Sequence, residues 1–504
     1  MSAGEQASGD GVAKRLFKYI DMKINPVLLR DLRLYGRGKS MIWTYFFVLV
    51  ILVLGGIAYT LAARWGGLDG RKLIYVPTML LPFIVGAGIP NLVGERFRSE
   101  LASRATELAL VSPLTPARLV RGKVFGAWCL TLQALSLAVP VFATAYLLGG
   151  VTALDILALA GGILLAGVVM PMPQMYLATK ARMQRSGGRI LFAMALVGNA
   201  ILMYMYSFFL YETFIGDPYE IAMYRAFLAA LTVAGLLYAQ FLYFVTVSRL
   251  RGVAENRELA PRLSLSFGLV AGGAAAFAIV KALSRYGVVG GRRETAGFMV
   301  AAVLILAFAF CLGMTLLCEG NTDAPRLPAD APRRGILARL FFANGASSLA
   351  AYFLVNSLGV IGVGLFALAV VESRHASDIW HMITIMLSPF MAMAYGMVAY
   401  FYFVRPLRKE PPTPSLLVST IVVTNIILLI AAIFIAIIGS GSDDFFELRP
   451  YVFGCTPAGL VMGTFERSSQ VPSVALCGLA VLAVLFLALT PMALRSLWRR
   501  RDAA

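Results

Sequence analysis

The chain has 504 residues, of which 59% are hydrophobic and only 14% charged, and it carries a formal net charge of +18. A soluble domain carries about 25% charged residues, so a chain this poor in charge cannot cover its own surface in water. A basic excess of this size would suit nucleic acid in a soluble protein, but no interleaving of basic and aromatic residues accompanies it, and nucleic acid is set aside as a partner.

Residues 1–13 are polar and are expected to be disordered. Residues 14–40 form a basic cytoplasmic segment whose second part starts a helix. Asn25 is a good cap and Pro26 suits the first helical position. Leu29, Leu32 and Leu34 supply apolar surface, and Arg30, Arg33 and Arg37 a basic side. This pattern predicts an N-terminal amphipathic helix lying in the membrane interface. The stretch is too polar, and the first apolar block too long, for a cleaved signal peptide.

From residue 42 onward the apolar residues fall into blocks of roughly 20, the length a helix needs to cross about 30 Å of hydrocarbon. Barrel strands would alternate over about 10 residues instead. The fold class expected is therefore an all-α integral membrane protein with about twelve transmembrane helices. The spans are placed near 42–62, 73–93, 124–148, 154–178, 190–215, 224–248, 265–284, 296–318, 347–371, 381–404, 415–439 and 472–494. With the N-terminus in the cytoplasm, the termini and even-numbered loops hold 33 Lys and Arg against 11 in the odd loops and the span ends beside them. This threefold bias is the positive-inside pattern, so both termini are expected on the cytoplasmic side of the plasma (inner) membrane. The same charge attracts anionic headgroups.

Two six-helix units suit this order, 41–248 and 265–494, joined by a cytoplasmic linker at 249–264 and followed by a basic tail at 495–504. Each would place a long cytoplasmic loop after its second helix, at 94–123 and 319–346. Residues 405–414 are too Pro-rich to fold alone. The long outer loop 440–471 contains an apolar piece, 451–465, too short to span and suited to a re-entrant element.

The loop 94–123 is the most informative segment. Arg96–Val111 is helix-like, with Phe97, Leu101, Leu108 and Val111 close to one face. Ser112-Pro113 ends that helix, and Thr115-Pro116 starts another as cap and first turn. Two helices meeting at a sharp break would present a stiff, charged corner to the cytoplasm.

The residues of this loop resemble the signature of the membrane-domain (permease) family of ATP-binding-cassette exporters. The matching positions are Glu95-Arg96, Thr106-Glu107-Leu108-Ala109-Leu110, Ser112-Pro113-Leu114-Thr115-Pro116 and Gly122-Lys123. Asn25-Pro26 through Arg30-Asp31 is similar to that family's amphipathic helix, with Asp where Glu is usual, and the piece around Pro457 is similar to its re-entrant element. Family members usually have six spans, where this chain has about twelve. The resemblance implies a non-catalytic subunit of an ATP-hydrolysing export complex that binds no cofactor itself and uses ATP through a cytoplasmic ATPase partner. It also raises pairing with a second permease chain or a second copy of this one. It implies coupling through Glu95, Arg96, Glu100, Thr106, Glu107, Leu108, Pro113, Leu114, Pro116 and Lys123, with Asn25, Pro26, Arg30 and Arg33 on the interfacial helix. Two other classes compete: a membrane-embedded enzyme acting on lipid-linked substrates, and an ion-coupled carrier.

Other candidate sites fall on inspection. Gly38-Lys39-Ser40 lacks the first glycine of a phosphate-binding loop, because Arg33 stands there. His375, Asp378 and His381 are poorly spaced for a metal and suit a polar interface. Cys129, Cys311, Cys318 and Cys477 lie in spans and Cys455 in an outer loop, with no disulfide or zinc spacing. No Asp or Glu falls near the middle of a span, which argues against an ion-coupled carrier. Asn199, Gln133, Gln240, Asn356 and Asn425 are intramembrane amides expected to join helices, and Pro171 and Pro173 are expected to kink the fourth span.

Overall fold

The computed structural model describes residues 26–36, 70–103, 115–180, 218–251, 259–285 and 471–498, with shorter stretches within 45–59, 196–211, 352–358, 387–406 and 420–428. These residues are almost entirely helical, and no strand occurs among them. The principal helices are α1 (Pro26–Gly36), α2 (Gly70–Phe83), α3 (Ile89–Ala102), α4 (Pro116–Leu148), α5 (Ala153–Val169), α6 (Pro171–Lys180), α7 (Pro218–Leu250), α8 (Leu259–Arg285) and α9 (Val471–Trp498). Among the described residues four helical stretches are long and apolar enough to cross a membrane: Leu73–Ala102, Pro116–Leu148, Ala153–Thr179 and Leu228–Leu250. They coincide with spans two, three, four and six of the sequence reading. Span eight lies outside the described residues, and spans one, five, nine, ten and eleven do so in part.

Two compact units are distinguished, Met1–Tyr224 and Arg225–Ala504. The division falls inside α7, the helix that the sequence places last in the first six-helix unit.

In the first unit α2 and α3 form a single rod joined by one wide turn at Ile84–Gly88, where the N–H of Ile89 donates to the carbonyl of Ile84. Pro90 accounts for the widening. It has no N–H to give to Gly86, and its ring crowds that carbonyl. The rod passes through Gly94-Glu95 and ends at Ala102. Span two was expected to end at 93, with a separate helix over 96–111. The described helix is continuous instead, because nothing in 91–98 breaks the hydrogen-bond ladder. It stops where the Ser103 hydroxyl donates to the carbonyl of Glu100, a local bond that competes with the helix.

A tight turn joins α4 to α5. Gly149 and Gly150 both adopt positive φ, +83° and +81°, a region open to glycine at no steric cost. Thr152 then caps α5 in a reciprocal box with Asp155, the side chain of each accepting from the other's backbone N–H. Arg71 at the start of α2 donates to the carbonyl of Gly150 across 2.7 Å, closing this end of the unit. Met170 separates α5 from α6 just before Pro171, with helical φ and ψ and its N–H still donating to the carbonyl of Ala166.

Close packing in this unit uses small residues, which let helix backbones approach one another. Gly167 of α5 sits directly against the side chain of Thr131 of α4, and Gly86 against Met203 and the backbone of Asn199. The Asn199 amide donates to the carbonyl of Met170 at 2.9 Å. Tyr45 donates to Gln133 at 3.1 Å. Two of the amides expected to join helices therefore do so.

In the second unit, Arg262 of α8 is fully buried, with its guanidinium 5.4 Å from the centre of the Tyr352 ring. The Tyr352 hydroxyl reaches the Arg262 carbonyl at 2.6 Å. Phe353 packs edge-on against Phe486 of α9, and Tyr402 donates to the carbonyl of Ala488. A second wide turn, Tyr400–Val404, ends two residues before Pro406, as the first ends two before Pro90.

The glycine contacts generate a paired expectation. Gly167→Ala places a methyl group into Thr131 and should lower stability by about 1–3 kcal/mol, the usual cost of overpacking. Gly161→Ala, on the exposed face of the same helix with nothing within 4 Å, should be neutral or slightly stabilising. Thermal unfolding of the two variants in detergent checks the contrast.

Candidate functional site

Three helix segments of the first unit converge on one set of charges. Thr115 starts α4: its side chain accepts from the N–H of Arg118, and Pro116 takes the first helical position. Two turns later stands Lys123, whose side chain is fully buried. The last turns of α3 bring Arg96, Phe97 and Glu100 to one face, at i, i+1 and i+4. The α1 helix lies against α4, presenting Val27, Asp31 and Tyr35, which are 4%, 2% and 1% exposed.

The sequence reading named Leu29, Leu32 and Leu34 as the apolar surface of α1 and did not find this buried row; Leu34 is 48% exposed. The row Val27–Asp31–Tyr35 turns inward where Lys123 of α4 supplies a cation for its carboxylate and Arg96 of α3 stacks on its phenol ring. A buried charge is tolerated only when paired.

The Lys123 ammonium nitrogen lies 2.8 Å from Glu100 Oε1 and 2.9 Å from Asp31 Oδ2. The first contact is a hydrogen bond. The second is a charge contact, because Asp31 Oδ2 has no hydrogen bond among the described residues. Arg30 completes the group: its Nη2 is 2.9 Å from Glu100 Oε1 and 3.2 Å from Asp31 Oδ1. Two cations thus face two carboxylates across three helices. Arg96 stacks its guanidinium 4.3 Å from the centre of the Tyr35 ring and donates to the carbonyl of Leu34 at 3.2 Å. The Phe97 ring, fully buried, lies 5.8 Å from the Lys123 ammonium.

Partial burial acts to lower the Arg30 pKa, but the opposing pull of Glu100 and then Asp31 raises it overall. Burial first, and the neighbouring Asp31 charge second, hold the Tyr35 phenol well above its ordinary value of 10.0, so it stays neutral. These groups form an electrostatic clamp. Removing Lys123 would leave the buried Asp31 carboxylate with only the half-exposed Arg30 as counter-charge.

The predicted coupling residues divide into three sets. Arg96, Glu100 and Lys123 are turned inward and spend their charge on the clamp and on Tyr35. Glu95 is exposed and pairs with Arg98 at 3.5 Å, and Pro116 opens α4. Thr106, Glu107, Leu108, Pro113 and Leu114 lie outside the described residues. On α1, Pro26 begins the helix, Arg30 joins the clamp and Arg33 is exposed, while Asn25 lies outside the described residues. Sequence reasoning missed Tyr35 altogether and reached Asp31 only by resemblance. The available signal was the i, i+4, i+8 row of Val27, Asp31 and Tyr35. No group of three His, Cys, Asp or Glu that could hold a metal occurs among the described residues. His375, Asp378 and His381 lie outside them.

Comparison with known protein families, with curated proteins and with solved structures finds no match to this chain.

Lys123→Met should cost about 3–5 kcal/mol of stability, the usual penalty for leaving buried charge unpaired. Adding Asp31→Asn should recover a large part, since Arg30 and Glu100 still pair. Thermal melts of the single and double variants measure the coupling.

Proposed function

We propose that this chain is the membrane-spanning permease subunit of an ATP-driven exporter, with no catalytic residues of its own, and that it couples to a separate cytoplasmic ATPase through the segment between α3 and α4. The observation that carries this reading is mechanical. The α2–α3 rod leaves the apolar region without a break and ends at Ala102, and α4 begins again at Thr115 and runs for 33 residues. A force applied between these two ends would reach both membrane helices directly. The clamp of Lys123, Asp31, Glu100 and Arg30 ties the two ends to each other and to α1, so that the three would move together.

The resemblance of 94–123 to the exporter permease signature supplies the partner class. In this reading Glu95 and Glu107 face the ATPase, while Arg96, Glu100 and Lys123 stiffen the element behind them. About twelve spans, cytoplasmic termini, a plasma-membrane location and α1 lying in the interface belong to the same proposal. Twelve spans in one chain would supply both membrane halves, and a second copy is the alternative.

One observation favours an ion-coupled carrier: Lys123 with Asp31 and Glu100 is a buried ionisable group. Its place at the helix ends weighs against that reading, because coupling sites of such carriers lie near the bilayer midplane.

Purified chain alone should hydrolyse no ATP. Glu107→Ala should weaken co-purification with the candidate ATPase, since losing one buried charge-assisted contact costs about 2–5 kcal/mol. Pro113→Ala and Lys123→Met should keep partner binding and lower transport-linked ATPase activity. Pull-downs read beside expression levels and turnover check these outcomes. Normal binding and normal activity in all three variants would return 94–123 to a simple connector.

A further inference from the structure

The inward face of α1 is spent on the clamp, which leaves its outward face to be explained. That face carries Leu29, Arg30, Arg33 and Leu34. Arg33 is exposed and has no hydrogen bond or ion pair among the described residues. Arg30 keeps 45% of its side chain exposed although it serves Glu100 and Asp31. Leu34, 48% exposed, stands beside Arg33. The outward face therefore combines guanidinium groups with leucines and carries no acid.

Its level along α4 is set by contact. A side-chain carbon added at Gly126 would meet Leu28 at 4.0 Å and Tyr35 at 3.7 Å. Gly126 stands three residues past Lys123, where the apolar run of α4 begins, and its neighbour Phe125 is 53% exposed. The α1 helix thus lies across α4 at the step from charged to apolar surface. Arg118 and Arg121 are exposed on the first turns of the same helix. The exposed acid on α3, Glu95, is already paired with Arg98.

We propose that the outward face of α1 is a binding site for anionic phospholipid headgroups, with Arg33 as the principal phosphate ligand and Leu29 and Leu34 set into the acyl boundary on either side. The proposal rests on the interfacial placement of α1 given above. Charge selects the occupant: a zwitterionic headgroup brings no net charge to a surface whose free groups are guanidinium, while an anionic one does. Each Lys or Arg near such a surface is worth enough for about a fivefold preference. Arg30 links the site to the clamp, because a phosphate drawn to its exposed side competes with Glu100 for the same guanidinium.

The test uses the full chain in phosphatidylcholine vesicles, with the native cysteines replaced and a bimane probe on Leu34→Cys. Trace brominated phosphatidylcholine reports depth, and the same amount of brominated phosphatidylglycerol reports headgroup preference. The expected result is quenching by both lipids, about fivefold stronger per lipid with phosphatidylglycerol. Adding Arg33→Gln should remove the preference and keep the quenching, and soluble glycerol phosphate should not compete. Equal quenching by the two lipids would overturn the lipid site while leaving α1 in the interface. Absence of quenching by either would overturn the interfacial placement and the site with it. Competition by glycerol phosphate would make this a soluble-anion site and overturn the lipid assignment.

Discussion

The burial of the Lys123 ammonium between Asp31 and Glu100 governs the first unit. Moving a lysine out of water costs several kcal/mol even after relaxation, and α4 offers it no partner of its own at that position. The cost is tolerable only while α1 and α3 both remain in place. An apolar contact would permit sliding, but an ion pair near 2.8 Å with a defined acceptor does not. Charge here serves to fix position more than to add stability, because well-packed apolar residues often match or exceed a buried ion pair in stability.

The rest of the unit is arranged to keep the clamp's helices in fixed relation. Gly167 lets α5 approach α4 at Thr131, and Gly86 lets the 196–211 segment approach the α2–α3 rod at its wide turn. Asn199 donates to Met170 beside the Pro171 break, tying that segment to the α5–α6 junction. At the opposite end of α4, Arg71 fixes the Gly149–Gly150 turn. A helix of 33 residues is about 50 Å long, so these attachments hold α4 at both extremities.

Much of this architecture was legible in the sequence. Block length identified the four described helices that are long and apolar enough to cross a membrane, because the length of such a block is set by bilayer thickness. Thr115-Pro116 announced a helix start, and Thr152 with Asp155 formed its cap through short-range contacts alone. The position of the interruption at Met170 was readable because Pro171 removes a donor from the ladder. What remained hidden depends on tertiary pairing. The row Val27, Asp31 and Tyr35 mixes apolar, acidic and phenolic residues, and only the presence of Lys123 across the interface shows why it is buried. The resemblance gave Glu100 and Lys123 as coupling residues, and their pairing with each other and with Asp31 is visible only once α1, α3 and α4 are brought together. The continuation of α3 to Ala102 was missed because Gly94 and the change from apolar to charged residues resemble a boundary, although neither interrupts a helix.

Backbone hydrogen exchange, followed by mass spectrometry on wild type and on Lys123→Met, tests the clamp most directly, because it reads α1 separately from the helices that hold it. The account predicts that amides 28–36 are protected in wild type and lose that protection in the variant, while amides 124–148 remain protected in both. Equal protection of 28–36 in the two proteins would show that apolar packing holds α1, and the clamp would not be what orders this end of the molecule.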